Sequence, residues 1–181
     1  MYRLNASVDK RNEDMLNALA PKEQQYSIKS LDSIGGQTRH INLSKLSEKR
    51  SETGGLHHIL RIAIGARVML TSNVDVSDGL VNGARGQVVH VVANDENDIT
   101  HVLVKFDNPS VGRNALQSSA HRSAFPDAVA LKKVEATFLA MGKKGAEVIR
   151  LQFPLTLAWA TTIHKVQGLT LDKIVVDMEG G

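Results

Sequence analysis

The apolar positions of the first 20 residues follow a helical stripe, and those beyond residue 59 fall in short β-like runs. Ser7 is placed to cap a helix reaching about Leu19, because Val8, Met15, Leu16 and Leu19 share one face and Pro21 ends it. Residues 2–4 read as a short strand, and residues 25–33 alternate weakly enough to form another. The stretch between Gly35-Gly36 and Gly54-Gly55 is polar and carries Arg39, Lys45, Lys49 and Arg50. Its composition predicts a solvated linker.

From residue 59 the texture is β. Runs at 59–64 and 67–71 are separated by a turn at Gly65, and residues 79–86 hold three glycines and one Asn, which predicts a tight connection. Two β-rich runs, 87–92 and 100–106, are joined by the hairpin-like loop 93–98. Two more, near 129–138 and 146–153, flank a Gly-Lys turn at 141–145. Short strands at this spacing predict a small barrel over residues 84–153. After Pro154 an apolar run, 155–159, gives way to a polar cluster and then to Ile174-Val175-Val176. Strand, polar turn, strand is the layout that sets functional groups at the carboxyl edge of a parallel α/β sheet. The expected fold class is therefore α/β, with a parent domain over 1–83 and 154–181 interrupted by the barrel.

Composition narrows the function classes. The net charge of +3 with a pI of about 9.2 permits a polyanionic partner without requiring one. Zero cysteines exclude a disulfide framework and a thiolate zinc site, and they suit a reducing compartment. No apolar run approaches the roughly 20 residues that cross a bilayer, and the amino end lacks a signal-peptide core. The expectation from composition is a soluble, intracellular protein; the nucleus is the first expected compartment, with the mitochondrion and the cytoplasm as alternatives. Aromatic residues make up only 4%. Nucleic-acid binding, if present, should lean on phosphates and backbone amides rather than base stacking.

The polar cluster holds the most chemistry. It reads Thr161-Thr162-Ile163-His164-Lys165-Val166-Gln167-Gly168-Leu169-Thr170. The Thr hydroxyls can meet phosphate oxygens, and amides exposed at a helix start favour anions. His164 can donate to a phosphate or sugar, with a core histidine as the plainer alternative. Lys165 offers a base-indifferent phosphate contact or a solvated amine. Gly168 permits close backbone approach. Asn82 and Arg85, in the glycine-rich connection, fit either a strand contact or a structural turn. Trp159 fits a packed position.

The run from Pro154 to Leu171 resembles motif V of superfamily 1 DNA helicases, in the PIF and RecD-like branch that moves 5′ to 3′. A second block supports the likeness: Gly65-Ala66-Arg67-Val68-Met69-Leu70, Asn73 and Asp75, then Gly79-Leu80-Val81-Asn82-Gly83-Ala84-Arg85-Gly86. A weaker echo, from Asn5 to Asn12, is similar to the segment opening the family's second motor domain. The resemblance implies a partial RecA-like parallel-sheet domain with an SH3-like β-barrel insert at 84–153. It implies that Thr162, His164 and Lys165, with Asn82 and Arg85, contact single-stranded DNA. Gln167, Gly168 and Thr170 would lie nearer a nucleotide cleft. ATP and Mg2+ would serve the whole enzyme, and the missing first RecA-like domain would be a partner in the same polypeptide.

Several sharper readings fail on spacing. Nothing matches G-x-x-x-x-G-K-[ST], so these 181 residues hold no phosphate loop, and the expectation is a helicase fragment without ATPase activity of its own, binding neither ATP nor Mg2+. The run Asp75 to Gly79 lacks the closing glutamate of a calcium loop, and adjacent His57-His58 does not make a zinc motif. No metal site is expected. Two rivals remain: a non-catalytic nucleic-acid-binding module of helicase descent, and a superfamily 1 RNA helicase.

Overall fold

Helix α1, Asn5–Leu19, buries one face at a spacing of four: Val8, Asn12, Leu16 and Ala20 are all at most 6% exposed. Leu19, expected on that face, is 44% exposed. The structure is a computed structural model that describes residues 5–34, 52–140 and 146–162. The expected strand at 2–4 and nearly all of the polar stretch 35–55 lie outside the described residues.

Ten strands follow α1: β1 Tyr26–Lys29, β2 Leu31–Ile34, β3 Ile59–Ile62, β4 Arg67–Leu70, β5 Arg85–Ala93, β6 Ile99–Phe106, β7 Val129–Leu131, β8 Val134–Leu139, β9 Glu147–Gln152 and β10 Leu155–Leu157. A short helix α2, Arg113–Gln117, lies between β6 and β7. They form three sheets: β1-β3, β10-β4-β5-β6-β7 and β2-β9-β8. The long β5–β6 hairpin is the backbone of the second, with Val88 of β5 buried and the consecutive Val102, Leu103 and Val104 of β6 buried on both faces. One main core joins Leu16 of α1 to Leu60, Ile62, Val68, Leu70, Phe153 and Leu155, with Trp159 packed at its margin.

The α/β expectation is overturned. Every strand pair among the described residues is antiparallel, and the named helices among them are α1, α2 and the 3-10 turn Lys22–Gln24. The described chain is mostly β and forms no parallel RecA-like sheet. β10 pairs antiparallel with β4, Leu155 opposite Leu70 and Leu157 opposite Val68, and the expected strand at 174–176 lies outside the described residues. An apolar run marks a buried strand but carries no information on which strand lies beside it, or in which direction. The five-stranded sheet thus takes strands from both sides of residue 84 and of residue 154.

Candidate nucleic-acid interface

Asn12 occupies the middle of the buried stripe of α1, where an unpaired amide would be costly. Its Nδ2 donates to the carbonyls of Leu157 at 3.3 Å and Ala160 at 3.2 Å, and its Oδ1 accepts the Ala160 N–H at 2.8 Å. One side chain therefore fixes the backbone that leaves β10 and leads into the polar cluster. Ala158 N–H donates to Arg67 O on β4, so the same segment is tied on its other flank. Thr161 and Thr162 follow directly. Thr162 is 7% exposed, and the Thr161 hydroxyl is buried without a protein hydrogen bond among the described residues. His164, Lys165, Gln167, Gly168 and Thr170 lie outside the described residues.

A cleft of about 260 Å³ opens beside this clamp, lined by Asp9, Asn12 and Glu13 of α1, by His57 and Arg61, and by Thr156. Arg61 is held by Glu13 at 3.0 Å and by Gln25 Oε1 at 2.7 Å, and His57 Nε2 lies 3.0 Å from Thr156 Oγ1. Its arginine is already committed to a carboxylate, so the cleft orients elements and has no spare cation for a phosphate.

Asn82 and Arg85 sit in the connection between β4 and β5, where local side-chain bonds set the chain path. Asn73 Oδ1 accepts the Asn82 N–H at 2.9 Å, leaving the Asn82 side chain exposed. Gly83 adopts φ 96° and donates its N–H to Leu70 O, a backbone turn that favours glycine. Asp75 Oδ1 accepts from Ser77 N–H at 2.9 Å and Ser77 Oγ at 2.6 Å. Those bonds, with a further one from Asp78 N–H, hold its carboxyl below the ordinary carboxylate value. Buried Asp78 accepts the N–H groups of Asn114 and Ala115, each at 2.9 Å, and so caps α2 from a distance. Arg85 faces Met69 across the ladder, and its Nε is buried without a hydrogen-bond partner among the described residues, as are the hydroxyls of Thr71 and Ser72. Arg67 forms a two-pronged pair with Asp107, at 2.7 and 2.5 Å, which raises its pKa. Much of the glycine-rich signature is thus loop construction.

Of the expected strand contacts only Asn82, Arg85 and Thr162 fall among the described residues, and Thr162 does not join the other two. Asn82 and Arg85 lie toward the Leu70 end of β4, while the chain passes Arg67 at the other end before reaching Thr162. Asn12 was missed because polarity removed it from an apolar stripe, although its spacing of four from both Val8 and Leu16 was visible.

A buried polar network braces the third sheet. Arg150, 2% exposed, grips Asp32 through Nε at 2.8 Å and Nη2 at 2.7 Å, and its Nη1 donates to Leu56 O. Burial pushes the Asp32 carboxyl up, but hydrogen bonds from Arg150 and Ser30 and the charges of Arg150 and His58 outweigh it and hold it below 3.8. Gln152, fully buried, donates to Ile28 O and His57 O and accepts the Phe153 N–H. Among the described residues no group of three His, Asp or Glu side chains converges as a metal site would.

A family model described as the 2B domain of the DNA helicase Pif1 matches residues 52–91. An ATP-dependent DNA helicase Pif1 of Bdellovibrio bacteriovorus is 34% identical over 178 residues, covering 98% of this chain and 33% of that protein. The chain belongs to the Pif1 helicase family. The crystal structure of the Pif1 helicase from Candida albicans matches with a TM-score of 0.67 at 28% identity, over 98% of this chain and 38% of that one. Bacteroides Pif1 bound to single-stranded DNA matches with a TM-score of 0.58 at 27% identity, over 96% and 32%. The chain spans 13 to 40% of the length of the curated Pif1 and related proteins it matches. The Pif1 2B match contains the β4–β5 connection and the His57-His58 pair, and it contains neither Asn12 nor Thr162.

Proposed function

We propose that this chain is the part of an ATP-dependent 5′-to-3′ DNA helicase that holds single-stranded DNA and couples that hold to the nucleotide cleft. The observation that carries the reading is the Asn12 clamp. A buried amide spans 148 residues of sequence to fix the backbone entering Thr-Thr-x-His-Lys-x-Gln-Gly. Membership of the Pif1 family supports DNA as the substrate, and a relative crystallised with single-stranded DNA supports the strand form.

In this reading His164 and Lys165 supply a donor and a charge to the sugar-phosphate backbone, with Thr162 at the base of the segment. Asn82 and Arg85 make a second contact, at the far end of β4. Gln167, Gly168 and Thr170 face the nucleotide, and the phosphate loop comes from another part of the polypeptide. Phosphoryl transfer needs positioned charge from both sides of the cleft, so the 181 residues alone should not turn over ATP. Photo-cross-linking to a thymidine oligonucleotide, with the modified peptides mapped by mass spectrometry, tests the assignment. Cross-links within residues 156–172 are expected. Cross-links confined to the rest of the chain would remove the segment from the interface.

A further inference from the structure

The arginines and lysines described so far are mostly spoken for. Arg61 pairs with Glu13, Arg67 with Asp107, Lys105 with Asp127 and Arg150 with Asp32. Among the described residues Lys29, Lys132 and Lys133 have no carboxylate at ion-pair distance, yet all three line one open cleft of about 650 Å³. It lies where β1 and the tip of the β5–β6 hairpin approach the Lys132-Lys133 link between the second and third sheets. Lys29 and Lys132 are exposed, and the half-buried Lys133 places its Nζ 5.7 Å from the ring centroid of fully buried Phe153, which steadies the ammonium at the cleft wall.

Asn97 and Thr100 add polar groups to the same wall, and Asp98 is the one carboxylate in the lining. His101 also lines the cleft, and its pKa is lowered by burial, by His121 and by Lys132, so the site's own charge is felt at its imidazole. Three cations against one carboxylate leave an excess of positive charge in the cleft among the described residues. That is an electrostatic footprint for phosphate.

We propose that this cleft seats the phosphate backbone of double-stranded DNA, separately from the single-strand contact. The cleft lacks what a single-strand groove needs. Its only ring is the half-buried imidazole of His101, which leaves no exposed aromatic platform for bases to stack on. In a duplex the bases are already stacked and the phosphates face outward, so lysines and polar side chains suffice. The proposal rests on the reading of the chain as part of a DNA helicase, and it assigns duplex contact to residues other than those proposed to hold the single strand.

The test is fluorescence anisotropy of the full 181-residue chain with a blunt duplex and with a thymidine oligonucleotide, across a salt series. The variants are Lys29→Ala/Lys132→Ala/Lys133→Ala and, to spare the Phe153 contact, Lys29→Glu/Lys132→Glu. Each phosphate contact on duplex DNA contributes about 0.9 to the log–log salt slope, so the triple variant should lose a slope of about 2 to 3 and about tenfold or more in duplex affinity at low salt. The two-site variant should lose at least as much affinity, with the thermal midpoint unchanged. Single-strand binding should be little altered by either. Unchanged duplex binding in the variants, no duplex binding by the wild type, or equal loss on both DNA forms would each overturn the proposal. If the wild type binds the oligonucleotide but no duplex, this inference fails and the proposed function stands. Lysine-dependent duplex binding without oligonucleotide binding is the reverse case.

Discussion

The side-chain amide of Asn12 meets Ala160 in both directions, donating to its carbonyl over 3.2 Å and accepting from its N–H over 2.8 Å. Helix α1 and the strand exit that leads to the polar cluster therefore move as one unit. A shift of α1 is transmitted to residues 157–162 through hydrogen bonds shielded from water, where each is stronger than at the surface.

Asn12→Ala should destabilise the chain by about 2 to 4 kcal/mol, because the Ala160 N–H and two carbonyls would stay buried and lose their partner. Asn12→Leu should not rescue it, although leucine fits the apolar neighbours on the stripe. Urea unfolding followed by circular dichroism reads both variants. A leucine variant as stable as the wild type would mean that the amide bonds contribute nothing.

Arg150→Met should cost about 3 to 5 kcal/mol by stranding the nearly buried carboxylate of Asp32. Replacing both partners, Asp32→Leu with Arg150→Met, should recover much of that loss, since neither charge then needs solvation. The comparison of unfolding midpoints decides it. A double variant worse than Arg150→Met would contradict the argument.

The same carboxyl predicts an acid limb. Its folded pKa lies below the ordinary 3.8, so in acid the unfolded chain takes up this proton first. The stability it adds is complete above that ordinary value and is lost as pH falls through the lower folded one. Urea midpoints measured from pH 6 down to pH 2.5 should fall below about pH 4, and the Asp32→Leu/Arg150→Met variant should flatten that fall. An equally steep limb in the double variant would place the acid sensitivity elsewhere.

Two glycines should respond differently to Ala. A Cβ on Gly86 would meet Lys105 O at 2.5 Å and Val104 Cγ1 at 2.7 Å, so β5 and β6 must part, at a cost of about 1 to 3 kcal/mol. At Gly83 nothing lies within 4 Å of the added carbon, and only the φ of 96° resists, at about 1 to 2 kcal/mol. Thermal unfolding of the two variants should rank Gly86→Ala as the more damaging.

Local features of the fold were legible in the sequence, and long-range partners were not. The apolar stripe located α1, although Ser7, expected to cap it, lies inside the helix, and β-rich composition located the β5–β6 hairpin and the strands near 59, 67, 129 and 147. These features depend on neighbours close in sequence. The antiparallel union of β10 with β4 joins residues far apart in the chain, and no local pattern encodes it. The site divides in the same way. The chemistry of His164 and Lys165 was readable as residue types, whereas the Asn12 clamp needs the packing of α1 on β10, and the Lys29, Lys132 and Lys133 cleft needs three separate segments to meet.

Single-strand binding measured over a salt series, for the wild type and for His164→Ala/Lys165→Ala, tests the central claim most directly. Binding of a thymidine oligonucleotide should weaken linearly in log salt. The double variant should lose about tenfold in affinity at low salt and about one phosphate contact, roughly 0.7, from the slope. A wild type that does not bind the strand, or a variant whose affinity and slope match the wild type, would contradict the account.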